Sequence, residues 1–169
     1  MTVQAVLDRT ALLAGGTLIR AGVYGGAGAL SAGGQTIKFA RSLLVDEGNL
    51  GDDGLQHVSA WGGTVVDPAG GAGDMPMYRH TIRMQVLLSM GRAQLPIALG
   101  ILTPFVEAYR DLFAAHTKLS DPAGLNAICA TSRIDRILDP ISANPLYLNR
   151  IAIEIVLEVT EKIPVVYAP

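Results

Sequence analysis

The feature of the sequence that most constrains the fold is a period of two that runs through Tyr78–Ser89. Every second position carries an apolar side chain or a histidine: His80, Ile82, Met84, Val86, Leu88 and Met90. The intervening positions are mostly polar: Arg79, Thr81, Arg83, Gln85, Leu87 and Ser89. An alternation that persists over a dozen residues predicts a half-buried β-strand. A second alternation, over Arg150–Thr160, predicts another strand of the same kind.

The segment between these two strands predicts one helix and one further strand. Thr103-Pro104 places an N-cap residue before a proline suited to the first helical position, and apolar residues recur through Phe105–Leu119 at spacings of three and four. Asn126–Leu138 is rich in β-branched residues and predicts a strand. A turn at Asp139–Pro145 would join that strand to the last one as an antiparallel hairpin.

The N-terminal half is less regular. Thr2–Leu13 predicts a helix capped by Thr2, and Gln35–Phe39 predicts a short strand. Residues 41–77 are predicted as a long loop or insertion with one brief strand at Gly63–Asp67, because many of the 19 glycines lie there and in residues 15–34. We therefore expect one α+β domain over residues 1–169: a mostly antiparallel sheet with an amphipathic helix on one face, an N-terminal helix and long Gly-rich loops. Residues 162–169 are predicted as an extended C-terminal arm.

No motif for catalysis stands out. Gly28–Gln35 has the glycine spacing of a phosphate-binding loop, but Gly34 stands where the lysine is needed. Ser31, between small residues, is the nearest approach to a nucleophile elbow. A small hydrolase or a ligand-binding domain that uses the Ser31 region is thus the alternative from another class. The main prediction is that the chain is not an enzyme and has no catalytic residues.

Metal and cofactor sites are not predicted either. His57, His80 and His116 lack the spacing that would place two of them on one metal ion, and the last two fall on predicted core faces. The single cysteine, Cys129, lies in an apolar stretch and is interpreted as a small buried side chain. We expect no metal and no cofactor.

Charge and hydropathy exclude two kinds of partner. The formal net charge is -2 and no run of like charges occurs, whereas binding to phosphates needs a basic face. The chain is not expected to bind DNA tightly, although DNA could pass it without specific binding. The apolar stretch Leu95–Val106 is about half the length needed to span a bilayer, so we expect no membrane contact.

Several residues are candidates for contacts between subunits. Arg79 and Arg83 lie on the polar side of one predicted strand, and Glu154 and Glu158 lie on the polar side of another, so they could pair if the strands are neighbours. Trp61, predicted in a loop, could anchor an interface or fold back onto the domain. The apolar, proline-punctuated end Ile163–Pro169 is expected to lie on an adjacent subunit; its candidate contact residues are Val165, Val166 and Tyr167.

Three segments together resemble a known family. They are the strand Tyr78–Val86, the helix Phe105–Leu119 and the ending from Tyr147-Leu148-Asn149-Arg150-Ile151 through Val159-Thr160-Glu161. Their order and pattern are similar to those of the tail terminator (tail completion, neck) proteins of long-tailed bacteriophages. The resemblance covers about half of the chain.

The resemblance implies a structural virion protein that is assembled in the host cytoplasm and sits at the head–tail junction. It implies a homo-oligomer, commonly a hexameric ring, that caps the tail tube and joins it to the head completion or connector protein, with DNA passing through. Another neck, minor tail or head–tail connector component is the alternative within the same class.

Overall fold

The structure, a computed structural model, describes residues 2–43, 54–67, 76–89, 94–140, 143 and 150–162. Its elements in chain order are α1 (Val3–Gly15), β1 (Leu18–Arg20), β2 (Val23–Tyr24), β3 (Ser31–Ala32), β4 (Gln35–Thr36), β5 (Phe39–Leu43), β6 (Gln56–Asp67), β7 (Met77–Leu88), α2 (Leu95–Ala115), β8 (Thr131–Leu138) and β9 (Ile151–Lys162). The fold is α+β with a mostly antiparallel sheet and two packed helices, which confirms the predicted fold class.

The main sheet has seven strands in the order β1-β2-β5-β6-β7-β9-β8, and β3 and β4 form a separate pair. All neighbours in the main sheet are antiparallel except β5 and β6, which run parallel. The two strands with clear alternation, β7 and β9, pair along their full length from Met77–Lys162 to Leu88–Ile151. The predicted antiparallel pairing of β8 with β9 is also confirmed.

Both helices contribute to one core with the sheet. Helix α1 packs on β5 and β6, and α2 packs on β8 and β9. Alternate residues of β7 and β9 meet apolar residues of the helices; the buried set includes Ile82, Met84, Val86, Ile153, Ile155, Leu157, Leu7, Leu102, Phe105 and Phe113. Burying each such side chain stabilises the fold by about 1.5–3 kcal/mol. The period of two in these strands is thus explained by one face that is covered by helices.

Helix α1 forms as predicted. The hydroxyl of Thr2 accepts a hydrogen bond of 3.2 Å from the backbone N–H of Ala5, which satisfies one free donor of the first turn. The helix ends at Gly15 and is capped by Gly16, whose φ of +84° favours glycine. Gly15 faces β5 so closely that a Cβ there would lie 2.5 Å from the Cβ of Ala40.

Helix α2 begins earlier than predicted. It starts at Leu95, with Gln94 as the N-cap residue, so Thr103-Pro104 lies inside the helix and not at its start. The reason is packing, because Ala98 and Leu102 extend the buried face that continues through Phe105, Tyr109 and Phe113. Pro104 removes one backbone hydrogen bond, and burial of the additional turns offsets that loss.

Three further boundaries differ from the sequence predictions. Residues 41–77 are not simply a long loop, because they contain the end of β5 and all twelve residues of β6. The predicted strand Gln35–Phe39 is divided between β4 and β5. Strand β8 begins at Thr131 and not at Asn126, whose φ of +50° is incompatible with a strand.

Candidate functional site

A buried chain of hydrogen bonds joins both helices to β6. The hydroxyl of Tyr109 lies 2.6 Å from Nδ1 of His57, and Nε2 of His57 lies 2.6 Å from the hydroxyl of Ser59. The Ser59 hydroxyl is 2.8 Å from that of Thr10, which also donates to the carbonyl of Leu7 at 2.9 Å. His57, Ser59, Thr10 and Tyr109 are all buried. Sequence reasoning missed this cluster because its members lie on three separate elements.

The hydroxyl of Thr10 donates both to the Ser59 hydroxyl and to the Leu7 carbonyl, so its single proton is shared between these two acceptors. The proton of Ser59 is then free for Nε2 of His57, in which case Nδ1–H of His57 donates to Tyr109; the other tautomer of His57 reverses both of these hydrogen bonds. Burial lowers the pKa of His57 to about 3 and raises the pKa of Tyr109 well above its ordinary value. The neutral, inaccessible imidazole is therefore a structural group that ties α1 and α2 to the sheet.

The other residues considered for chemistry lie apart from one another. Ser31 is in β3, and its hydroxyl is 2.7 Å from that of Thr36 in the exposed β3–β4 pair, not at a strand-to-helix turn. Burial, with a smaller contribution from Glu161, raises the pKa of the half-buried Cys129 thiol to about 11. His116 is only partly buried and lies 2.9 Å from the hydroxyl of Ser120. Within the described ranges, no three His, Cys, Asp or Glu residues are grouped as metal ligands would be.

The face of the sheet opposite the helices, here the second face, carries the predicted charged residues. Arg83 binds Glu154 in a bidentate pair, with Nε 3.1 Å from Oε1 and Nη2 2.6 Å from Oε2. Gln85 donates a third hydrogen bond to Glu154. The side chain of Glu154 is only 6% exposed, so this pair is largely desolvated. The predicted pairing of β7 and β9 through Arg83 and Glu154 is confirmed.

Arg79 and Glu158 pair with other strands and not with each other. Arg79 lies 3.3 Å from Asp67 of β6, and Glu158 accepts two hydrogen bonds, of 2.9 and 2.7 Å, from Arg133 of β8. All four charged residues that were candidates for contact with a partner therefore have partners within the chain. The second face does not need opposite charge from another subunit.

An unpaired strand edge is the most unusual exposed feature in the described part of the chain. Strand β5 ends opposite Ala60, so no described strand pairs with the outer side of Trp61–Asp67, here the β6 edge. Trp61, Val65 and Val66 in it are 48%, 53% and 56% exposed. Trp61 is thus in a strand and not in the predicted loop. No charged residue occurs in the β6 edge before Asp67, whereas the outer strand β8 carries three: Arg133, Asp135 and Arg136.

A bulge and a polar chain fix the shape of the β6 edge. The register shifts between Trp61 and Gly63, where Gly63 has a φ of +130°, so that Trp61 and Thr64 project on the same face. The indole N–H of Trp61 donates to the Thr64 hydroxyl at 3.1 Å, and that hydroxyl lies 2.8 Å from Nδ1 of His80. Nε2 of His80 is 3.3 Å from a carboxylate oxygen of Glu161, near the end of β9. The paired glycines at 62 and 63 are the one sequence signal for this bulge.

The last strand ends at the same end of the sheet as the β6 edge, with β7 between them. Lys162, the final residue of β9, is opposite Met77, and Met77 is opposite Asp67. Lys162, predicted as the first residue of the arm, is instead the last residue of β9. Residues 163–169, with the candidates Val165, Val166 and Tyr167, lie outside the described residues.

Comparison with known proteins gives no family. No protein-family model matches the sequence, and no curated protein matches it either. Neither helix in the described ranges combines the length and the apolar character that crossing a bilayer requires.

Proposed function

We propose that this chain is a structural assembly protein that forms a ring of identical subunits at the head–tail junction of a long-tailed bacteriophage. In this function the ring caps the tail tube and joins it to the head completion or connector protein. The observation that carries the assembly function is the β6 edge, a strand segment that no described strand pairs with on its outer side, that has no charged residue before Asp67 and that has three large exposed apolar side chains.

An exposed strand edge favours association because its free backbone N–H and C=O groups can pair with a strand from another chain. Proteins that stay monomeric usually protect such edges with charges or bulges. The edge of β8 is protected in this way, since Arg133 and Arg136 are 71% and 62% exposed and the strand has a register shift between Ile134 and Arg136. The β6 edge has a bulge but no charged residue before Asp67, which supports pairing there.

The placement at a phage head–tail junction rests on the sequence resemblance. The net charge of -2 supports a channel that DNA crosses without binding tightly. Another neck, minor tail or connector component would also use an assembly surface, and it would differ in its partner. A hydrolase based on Ser31 has no support from geometry, because that hydroxyl is in an exposed strand pair next to Thr36.

The test is the size of the purified protein, measured by light scattering after gel filtration over a wide concentration range. We expect a discrete assembly of several subunits, with rings in negative-stain micrographs that bind tail tube protein from the same genome. Binding to connector protein but not to tube protein would favour the alternative within the class. A chain that stays monomeric at high concentration and with tube protein would refute the proposal.

A further inference from the structure

We propose that the β6 edge receives residues 163–169 of a second copy of this chain as an added β-strand. The inference rests on the proposed self-assembly and names the contact through which it occurs. Each subunit would donate its C-terminal segment to one neighbour and accept the segment of another on its own β6 edge.

The two partners match in chemistry. Ile163–Pro169 contains no charged residue, and its central residues, Val165, Val166 and Tyr167, favour the extended conformation of strands. Pro164 and Pro169 cannot donate backbone hydrogen bonds, so pairing is limited to residues 165–168. The β6 edge, residues 61–67, is long enough for four residues and is itself uncharged up to Asp67. Backbone hydrogen bonds would supply affinity, and alternate side chains would supply specificity.

The geometry favours a second copy over the same chain. The last residue of β9, the first residue of β7 and the last residue of β6 lie side by side; they are Lys162, Met77 and Asp67. The outer side of β6 is therefore about three strand spacings, roughly 14 Å, from the end of β9. At about 3.3 Å per residue the segment would use roughly four residues to cross and reverse direction, which leaves about three to pair. On a neighbouring subunit all four residues 165–168 can pair.

The contact also fits a closed ring. A segment-to-edge contact joins two different surfaces, so an open assembly keeps one free edge at one end and one free segment at the other until the ring closes. Two β6 edges that paired with each other would instead give a two-fold dimer. The other outer strands are less suitable receivers, because β8 carries exposed arginines and β1 has only three residues.

The first experiment compares three variants by light scattering, with circular dichroism and thermal unfolding as checks of folding. One variant lacks residues 163–169. The second, Val66→Lys, puts a charge on the β6 edge opposite Tyr78, away from Arg79. The matched control is Ile97→Lys on α2, where the exposed fraction of 58% equals that of Val66 to within two per cent. We expect the first two variants to lose the oligomer and the control to keep it.

The second experiment mixes the truncated chain with the Val66→Lys chain. One retains an intact edge and the other an intact segment, so a segment-to-edge contact predicts a one-to-one heterodimer that cannot grow. Native mass spectrometry distinguishes this heterodimer from both monomers. Pairing within one chain, or between two β6 edges, predicts no heterodimer and would overturn the inference.

The third experiment adds a synthetic peptide with the sequence Ile163–Pro169 to the truncated protein. Trp61 is the only tryptophan, and because its side chain is 48% exposed we expect a saturable blue shift of its emission. The same truncation with Val66→Lys should show no shift. A full-length chain that is monomeric refutes the proposed function and this inference together, and saturable peptide binding would then indicate that the segment pairs within its own chain. An oligomer that survives truncation refutes the inference and leaves the assembly function standing.

Discussion

The buried imidazole of His57 makes the stability of the fold depend on pH in a way that can be calculated. In the folded chain burial lowers its pKa from 6.5 to about 3, whereas in the unfolded chain it titrates near 6.5. Between these two pH values the unfolded state binds a proton that the folded state does not. The free energy of unfolding is therefore intact above pH 6.5 and falls as the pH is lowered toward 3.

The size of the effect follows from the same two pKa values. Well inside the range between pH 3 and pH 6.5, each unit by which the pH is lowered reduces the free energy of unfolding by about 1.36 kcal/mol per titrating group. Because this range begins only near pH 6.5, the loss between pH 7 and pH 5 is about 2 kcal/mol for His57. That is a large share of the roughly 5–15 kcal/mol that stabilises a typical domain.

The assay is urea unfolding of the wild type and of His57→Gln at pH 7, 6 and 5, followed by circular dichroism. Glutamine does not titrate and keeps one donor and one acceptor, so the other titrating groups cancel in the comparison. We expect the wild type to lose about 2 kcal/mol more than the variant between pH 7 and pH 5. Parallel pH profiles would show that His57 is not held neutral and would refute the reasoning. Tyr109→Phe, which leaves the buried Nδ1 of His57 without its hydrogen-bond partner, should cost about 1–3 kcal/mol at pH 7.

Two matched pairs of substitutions test the packing and the second face, with urea unfolding as the measurement. Arg83→Met should cost about 3–5 kcal/mol because it leaves the buried carboxylate of Glu154 without its cation, whereas Arg133→Met, at a side chain that is 71% exposed, should cost at most about 1 kcal/mol. Equal losses would contradict the assigned burial. Gly15→Ala should destabilise by about 1–3 kcal/mol because its Cβ would lie 2.5 Å from another side chain, and Gly100→Ala, in open space within α2, should stabilise by about 0.5–1 kcal/mol. A gain from the first or a loss from the second would show that the helices pack differently.

The strands β7 and β9 could be predicted from sequence because each has one face against the helices and one face that is largely polar. Such a strand alternates, and the bidentate pair of Arg83 and Glu154 could be anticipated from the same pattern. The N-terminal helix was predictable for a local reason, since Thr2 caps it within its own first turn. In each case the pattern that predicts the element lies within the element itself, either in its first turn or repeated along one strand.

The other features depend on contacts between elements that are far apart in the sequence. In β6 the side chains that face the helices include the polar pair His57 and Ser59, whose partners come from α1 and α2, so the strand shows no apolar alternation. The start of α2 was misplaced because a local rule for proline was outweighed by burial of Ala98 and Leu102. Trp61 was placed in a loop because the glycines beside it are typical of loops, although here they form a bulge within a strand.

The polar groups of this chain therefore divide into two sets with different consequences for function. The side chains of His57, Glu154 and Glu158 that could have supported chemistry or a charged interface are paired internally in the described structure. Among the described residues, the backbone N–H and C=O groups on the outer side of the β6 edge have no strand paired with them, and the exposed side chains of Trp61 and Val66 lie beside them. Such a surface recognises extended backbone and apolar side chains, not charge or a reactive group. This division supports the proposed function in assembly.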